Sequence, residues 1–272
     1  MKSLSLQTSS IAASMTVSID TLAKKLKAEG KDIVSLGAGE PDFKTPEIIR
    51  NAAKEAIEQG KTKYVAPTGL EEVRKAVANK LQKENGLSYS ANQIVLTSGA
   101  KQAVFNSLAA LINPDDEIII PAPYWVTYPE LVKWFKGVPV FIETTPESAF
   151  KITPEQLKNA ITEKTKAVIL NNPCNPSGAV YSPKELKALS EVIVDNDLFC
   201  ISDEIYEHIN FVDKHESIAQ FDSIKDRVII INGFSKAFAM TGWRLGYVLA
   251  HEVFTQQMLK IHQYVIMCAP TA

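Results

Sequence analysis

Cysteine, histidine and arginine are all scarce in this 272-residue chain, and each scarcity narrows what it can do. Three cysteines, Cys174, Cys200 and Cys268, are too few and too scattered for a disulfide framework, so reduced thiols in a cytoplasmic protein are expected. The four histidines, His208, His215, His251 and His262, lack metal-ligand spacing and read as surface or half-buried side chains, so no metal is expected. His251 in "HEVFT" opens like a zinc-protease motif, but the second histidine is missing. No apolar run reaches membrane-span length, and "MKSLSLQTSSIAASM" lacks the continuous hydrophobic centre of a signal peptide. A net charge of −2 gives no basic footprint for nucleic acid or an anionic membrane. Repeats, low-complexity linkers, a P-loop and a G-x-S-x-G elbow are absent. "LGAGEPDF" has Gly37-x-Gly39 but no third glycine, so it fails as a dinucleotide fingerprint.

What the chain does have is alternation. Helical patterns are expected at "SIDTLAKKLKAEG", at "TPEIIRNAAKEAIEQG" with Thr45 as N-cap and Pro46 at the first helical position, and at "GLEEVRKAVANKLQKENG". "DIVSLG" reads as a short strand between the first two. Beyond them, "QIVLTSG", "DEIIIPAP", "VPVFIE", "KAVILNNP", "LFCISDE", "RVIIING" and "LGYVLA" read as strands, most of them separated by helices. This order predicts an α/β fold: three α/β/α layers around a mostly parallel sheet.

Ligands in such sheets bind beyond the carboxyl ends of the strands. Gly99, Trp125, Asn175, Asp203 and Lys236 all fall at such ends. Taken singly, each has a bland reading. Lys236 can snorkel from a strand end, Asp203–Glu204 can cap a helix or pair with a cation, "NNPCNPSG" can be a turn, and Trp125 can be core. Their joint order and position are what those readings leave unexplained. A lysine in an apolar pocket is a usable amine nucleophile.

"GFSKAFAMTGWRLG" resembles the lysine signature of the class I (fold type I) pyridoxal-phosphate aminotransferases at Gly233, Ser235, Lys236, Gly242, Arg244 and Gly246. "SLGAGEPDF", "KYVAPTGLEEVRKAV", "PAPYWVTYPE", "NNPCNPSGAVY" and "SDEIYEHI" are similar to the family's other blocks, in the same order. The wording is nearest to the bacterial-type aspartate aminotransferases of subgroup Iβ, some of which also act on prephenate.

The resemblance implies pyridoxal 5′-phosphate as cofactor, linked covalently to Lys236, whose amine also moves the substrate Cα proton. It implies that Asp203 pairs with the cofactor's ring nitrogen, that Tyr206 and Asn175 bond its phenolic oxygen, and that Trp125 stacks on its face. The phosphate falls to Gly99, Ala100, Lys101, Ser235 and Arg244, with Tyr64 reaching the phosphate of the neighbouring subunit in a homodimer. Gly39, Trp125 and Asn175 meet the substrate, while Ser14, Thr16 and Lys101 surround the distal carboxylate of an acidic one. Prephenate-active relatives tend to have lysine where this chain has Ala12, which favours aspartate and glutamate as partners of a 2-oxo acid.

By the same resemblance, residues 1–45 form an N-terminal arm and the start of a small domain, and residues 46–272 form the large cofactor domain. The family's chain continues into a C-terminal small domain that carries an arginine for the substrate α-carboxylate. Here Arg244 belongs to the phosphate, Arg50 and Arg74 are expected to face solvent, and Arg227 lies at the far end of its strand. A slow, aggregation-prone protein is therefore expected. Alternatives stay open: an aromatic or prephenate aminotransferase, a C–S lyase or decarboxylase of the same fold, or a non-catalytic cofactor-binding fragment.

Overall fold

The computed structural model describes residues 2–37, 39–212 and 214–271. Its centre is a seven-stranded sheet: β1 (Ile94–Thr97), β2 (Glu117–Pro121), β3 (Val138–Ile142), β4 (Thr165–Asn171), β5 (Phe199–Asp203), β6 (Val228–Gly233) and β7 (Gly246–Leu249). The spatial order is β1-β7-β6-β5-β4-β2-β3. Only β7 runs against the others, pairing antiparallel with both β1 and β6. The carboxyl ends of β1, β2, β4, β5 and β6 therefore share one edge of the sheet.

Strands buried on both faces need apolar residues at nearly every position, which explains runs such as "VIII" in β6. Val228 and Ile230 face one core together with α4 (Glu71–Lys80), α7 (Pro154–Ala160) and α8 (Pro183–Asp195). Ile229 and Ile231 face the other with α5 (Ala100–Leu111), α6 (Thr127–Trp134) and α9 (Glu252–Val265). Each fully buried Ile or Val contributes about 1.5–3 kcal/mol, so the two cores hold the sheet edge firmly. The three layers match the expectation.

The remaining helices precede the sheet: α1 (Leu6–Ser9), α2 (Met15–Ala28) and α3 (Glu47–Glu58). Here several expectations fail. "DIVSLG" forms no strand, and Val34 and Leu36 are exposed, because no neighbouring strand lies beside them to take their hydrogen bonds. The helix expected from Ser18 is α2 and starts earlier, at Met15, because Ser14 Oγ accepts from Val17 N–H and caps it there. Thr45 does not cap α3. Its hydroxyl donates to Ala239 O at 2.6 Å and accepts from Trp243 Nε1 at 3.0 Å, fastening α3 to the segment after Lys236.

Arg74 is also not at the surface. It is buried, donating from Nη1 to Ala91 O at 2.6 Å and from Nε to Gly69 O at 3.4 Å, so carbonyls replace its water. Arg50 is exposed, and Arg227 pairs with Asp197 at 2.5 Å before the amino end of β6. No helix among the described residues is long and apolar enough to cross a membrane.

Candidate active site

A cavity of about 560 Å³ opens at the carboxyl edge of the sheet. Most of the residues singled out from sequence line it: Thr16, Gly39, Ala100, Lys101, Trp125, Asn175, Asp203, Tyr206, Ser235, Lys236 and Arg244.

Asp203 closes β5 and is only 2% exposed. Its Oδ2 accepts from Tyr128 OH at 2.7 Å and its Oδ1 from Ile205 N–H at 3.2 Å. Burial pushes its carboxyl up to about 6; the two donors oppose that shift and the neighbouring Glu204 charge adds to it. Asn175 follows β4, and its backbone N–H donates to Asn171 Oδ1 at 2.6 Å. Its Nδ2 donates to Tyr206 OH at 3.3 Å. The Trp125 ring meets Tyr128 edge-on at 5.4 Å, and the Lys101 ammonium lies 4.9 Å from the Trp125 ring centre.

Lys236 is half-buried in the turn after β6. Its Nζ donates to Gly39 O and sits 5.7 Å from the centre of the Tyr206 ring. Burial moves its amine below the usual lysine range; Glu40 opposes the shift and Arg244 adds to it. A larger share of nucleophilic free amine near neutral pH follows.

At the cavity's other end, α5 begins at Gly99, which has no side chain to cap it. The first N–H groups of a helix have no carbonyl partner within it, and they attract anions. Gly99 has φ +75°, and a Cβ there would come within 2.4 Å of Arg244 Nη2, so the guanidinium packs directly on the backbone. Arg244 is held by Thr241 O at 2.8 Å and Ser98 O at 3.3 Å.

Residues 31–272 match the family model for aminotransferase class I and II. The chain belongs to that family. It is 46% identical over 260 residues to the aspartate aminotransferase of Bacillus subtilis, covering 95% of this chain and 66% of that protein. It is 44% identical over 261 residues to the aspartate/prephenate aminotransferase of Thermus thermophilus, covering 96% of this chain and 67% of that one. The solved aspartate aminotransferase from Thermus thermophilus with maleate superposes with a TM-score of 0.96 at 42% identity, over all of this chain and 70% of that one. This chain thus spans about two thirds of the length of these relatives.

Class I and II aminotransferases generally depend on pyridoxal phosphate. The residues present fit such a group. An uncapped helix start with the Arg244 guanidinium packed on it, the Ser235 side chain and the buried Asp203 carboxylate all border one cavity. The Lys236 amine lies along the same cavity wall.

Two predicted positions lie elsewhere. Ser14 is the N-cap of α2 and does not line the cavity. Tyr64 is 85% exposed and borders a separate cleft with Ser98 and Ile266.

Sequence reasoning missed Tyr128 and Asn171, both touching the site. Tyr128 stands three residues after Trp125 on the first turn of a helix that reads as ordinary and amphipathic, so a one-turn offset from a site residue was the available signal. The histidine reading also needs correction. His215 and His262 are buried. His215 Nε2 lies 3.1 Å from Glu204 Oε2; burial lowers the histidine's proton affinity, but the hydrogen bond and charge of Glu204 outweigh it and raise it. His262 Nδ1 lies 3.1 Å from Asn106 Nδ2 between α9 and α5, and burial lowers it. Each has a polar partner on another element, Glu204 eleven residues before His215 and Asn106 far from His262 in sequence, which histidine spacing does not reveal.

Proposed function

We propose that this protein is a pyridoxal-phosphate aminotransferase that moves an amino group between an acidic amino acid and a 2-oxo acid. The observation that carries the reading is one cavity holding the Lys236 amine, the buried Asp203 carboxylate and the Arg244–α5 anion cradle. When bound, pyridoxal phosphate supplies an aldehyde and a protonated ring that takes up the electron pair left at the substrate Cα.

The protein's own groups do the rest. Lys236 is the residue that would hold the cofactor through its amine, and the same amine, when free, would accept the proton from the substrate Cα. Positioned proton transfer of this kind contributes about 10²–10⁴-fold. Asp203, its carboxylate bonded by Tyr128 OH, would keep a proton on the ring nitrogen. Tyr206 and Asn175 would donate to the phenolic oxygen, and Trp125 would cover the ring face. Gly99, Ala100 and Lys101 would offer backbone N–H groups to the phosphate, joined by Ser235 and Arg244. Gly39 and Asn175 border the substrate.

Thr16 and Lys101 are the proposed contacts for a distal carboxylate, with Ser14 nearby. The aspartate aminotransferase from Thermus thermophilus with maleate supports this choice, since maleate is a small dicarboxylate. Residues 46–272 are read as the large cofactor domain and residues 1–45 as an N-terminal arm and the start of a small domain. Tyr64, exposed in the single chain, fits a residue that serves the phosphate of a second copy in a homodimer. Three free thiols fit a reducing, cytoplasmic compartment.

The test is borohydride reduction of the purified protein with pyridoxal phosphate, followed by peptide mapping and an aspartate/2-oxoglutarate assay. The label belongs on Lys236. A label on Lys101, or none despite bound cofactor, overturns the assignment. Equal turnover of prephenate and oxaloacetate overturns the substrate choice.

A further inference from the structure

Glu207 does not line the cavity and is buried, its side chain 5% exposed. Its Oε1 pairs with Lys80 Nζ from α4, and His208 Nε2 lies 3.3 Å from the same oxygen. Its Oε2 accepts from Asn232 Nδ2 at 2.5 Å. The nearby Glu204 carboxylate has its own partners in Ser202, Ser217 and His215.

Asn232 is the penultimate residue of β6, and its Oδ1 accepts the Gly233 N–H at 2.7 Å. Gly233 stands opposite Gly246, where a Cβ would come within 2.8 Å of the Gly246 Cα, so the backbone has no slack on that side. Three residues on comes Lys236. Its turn is closed by Phe238 N–H to Phe234 O at 3.2 Å and Met240 N–H to Ser235 O at 3.1 Å.

An ionised carboxylate only accepts hydrogen bonds, whereas an asparagine amide has one accepting and one donating end. With Glu207 on one side, Asn232 must turn Nδ2 toward it and Oδ1 toward the Gly233 N–H. We propose that Glu207 is a positioning residue for the lysine-bearing turn, acting through Asn232 by fixing which way its amide points. The consequence for cofactor capture rests on the reading of Lys236 given above; the orientation of the turn does not.

Glutamine at 207 cannot satisfy both neighbours. If its oxygen stays on Lys80, its NH₂ faces Asn232, the asparagine flips, and two donors meet at Gly233. If its oxygen faces Asn232, its NH₂ meets the Lys80 ammonium. Removing Lys80 as well frees the glutamine oxygen for Asn232. This frustration makes a sharp test.

Amide hydrogen exchange at Gly233 and the rate of covalent capture of pyridoxal phosphate on Lys236 are measured in the full chain. The variants are Glu207→Gln, Asn232→Ala, the two combined, and Glu207→Gln with Lys80→Met. Glu207→Gln speeds Gly233 exchange about tenfold or more while Cys200–Ser202 in β5 stays protected. Asn232→Ala does the same, and the combination is no worse than either alone, as for two residues acting through one contact. Lys80→Met restores protection in the Glu207→Gln background to within about threefold of the parent protein. Unchanged exchange at Gly233, additive effects, or equal loosening of β5 each overturn the proposal. Exchange that changes as described in a protein whose parent form captures no cofactor supports the turn and overturns the functional reading instead.

Discussion

Two sides of one cavity are built differently. On the sheet side, Asp203 is 2% exposed, and each carboxylate oxygen has its own donor. On the N-terminal side, Leu36 lines the same cavity while 91% exposed, and Val17, Ile19 and Val34 are exposed as well. The first side is a set of strand ends anchored in two apolar cores; the second is a helix and an extended segment with few partners in this chain. Groups whose charge must be held in place come from the anchored side. Of the groups expected to meet the substrate, Thr16 and Gly39 come from the loosely anchored side, while Lys101, Trp125 and Asn175 come from the anchored one.

The sharpest break of that contrast is Lys236→Ala. Amino transfer should fall by roughly 10⁴-fold or more, covalent cofactor capture should vanish, and the melting temperature should hardly move. Steady-state assays, absorbance and thermal unfolding of the same preparation check all three.

Next in size is Asp203→Asn, where function and stability should move in opposite directions. Amino transfer should fall by about 10²–10³-fold with loss of the charge facing the ring nitrogen. The folded carboxyl is raised from 3.8 to about 6, so its contribution to stability is complete below 3.8 and is lost as pH rises through 6. Above pH 6 the cofactor-free protein therefore holds a buried charge at a cost of roughly 2–3 kcal/mol, which the asparagine removes. Denaturant unfolding without cofactor at pH 7.5 should show the variant as the more stable. Cofactor affinity of the parent protein, read by fluorescence, should weaken as pH falls through about 6, and the variant should lose that dependence.

Tyr128→Phe is milder. It deletes a buried hydrogen bond to a carboxylate, typically worth about 1.5–3 kcal/mol. Without that donor the Asp203 midpoint should move further up, visible as a shift of the affinity–pH curve to higher pH. The smallest effect belongs to the loosely anchored side: Leu36→Ser should change unfolding stability by no more than about 0.5 kcal/mol. Ile231→Ala, in the sheet, should cost about 2–5 kcal/mol, and equal losses at the two positions would erase the contrast.

Legibility in the sequence followed the same division. The strands of the anchored side announce themselves as apolar runs, and the residues after them read as a site because parallel strands end on one edge. The elements that misled depend on neighbours that the local pattern does not name. "DIVSLG" has strand composition, yet composition does not say whether a partner strand lies beside it. Arg74 sits in a charged helix, and only the approach of the Gly69 and Ala91 carbonyls makes burial tolerable. Thr45 precedes a helix like any capping residue, but the Trp243 indole and the Ala239 carbonyl claim its hydroxyl. Glu207 and His215 carry no local mark, and Tyr128 only its one-turn offset from Trp125, because their roles are set by what packs on them. The match of "GFSKAFAMTGWRLG" to its family, in contrast, was plain from the letters.

That contiguity has a geometric origin in the one reversed strand. β6 delivers Lys236 to the cavity edge at its end, and β7, running backwards, delivers Arg244 to the same edge just before its start. Two groups proposed for one ligand, Lys236 for its aldehyde and Arg244 for its phosphate, thus lie eight residues apart on a single hairpin-like excursion. Had β7 been parallel, the chain would have had to cross back to the opposite edge before β7 began, carrying Arg244 to the far edge of the sheet. The short, unbroken motif is the imprint of strand direction on the letter order, and an insertion between Lys236 and Arg244 should be tolerated far less than one between β3 and β4.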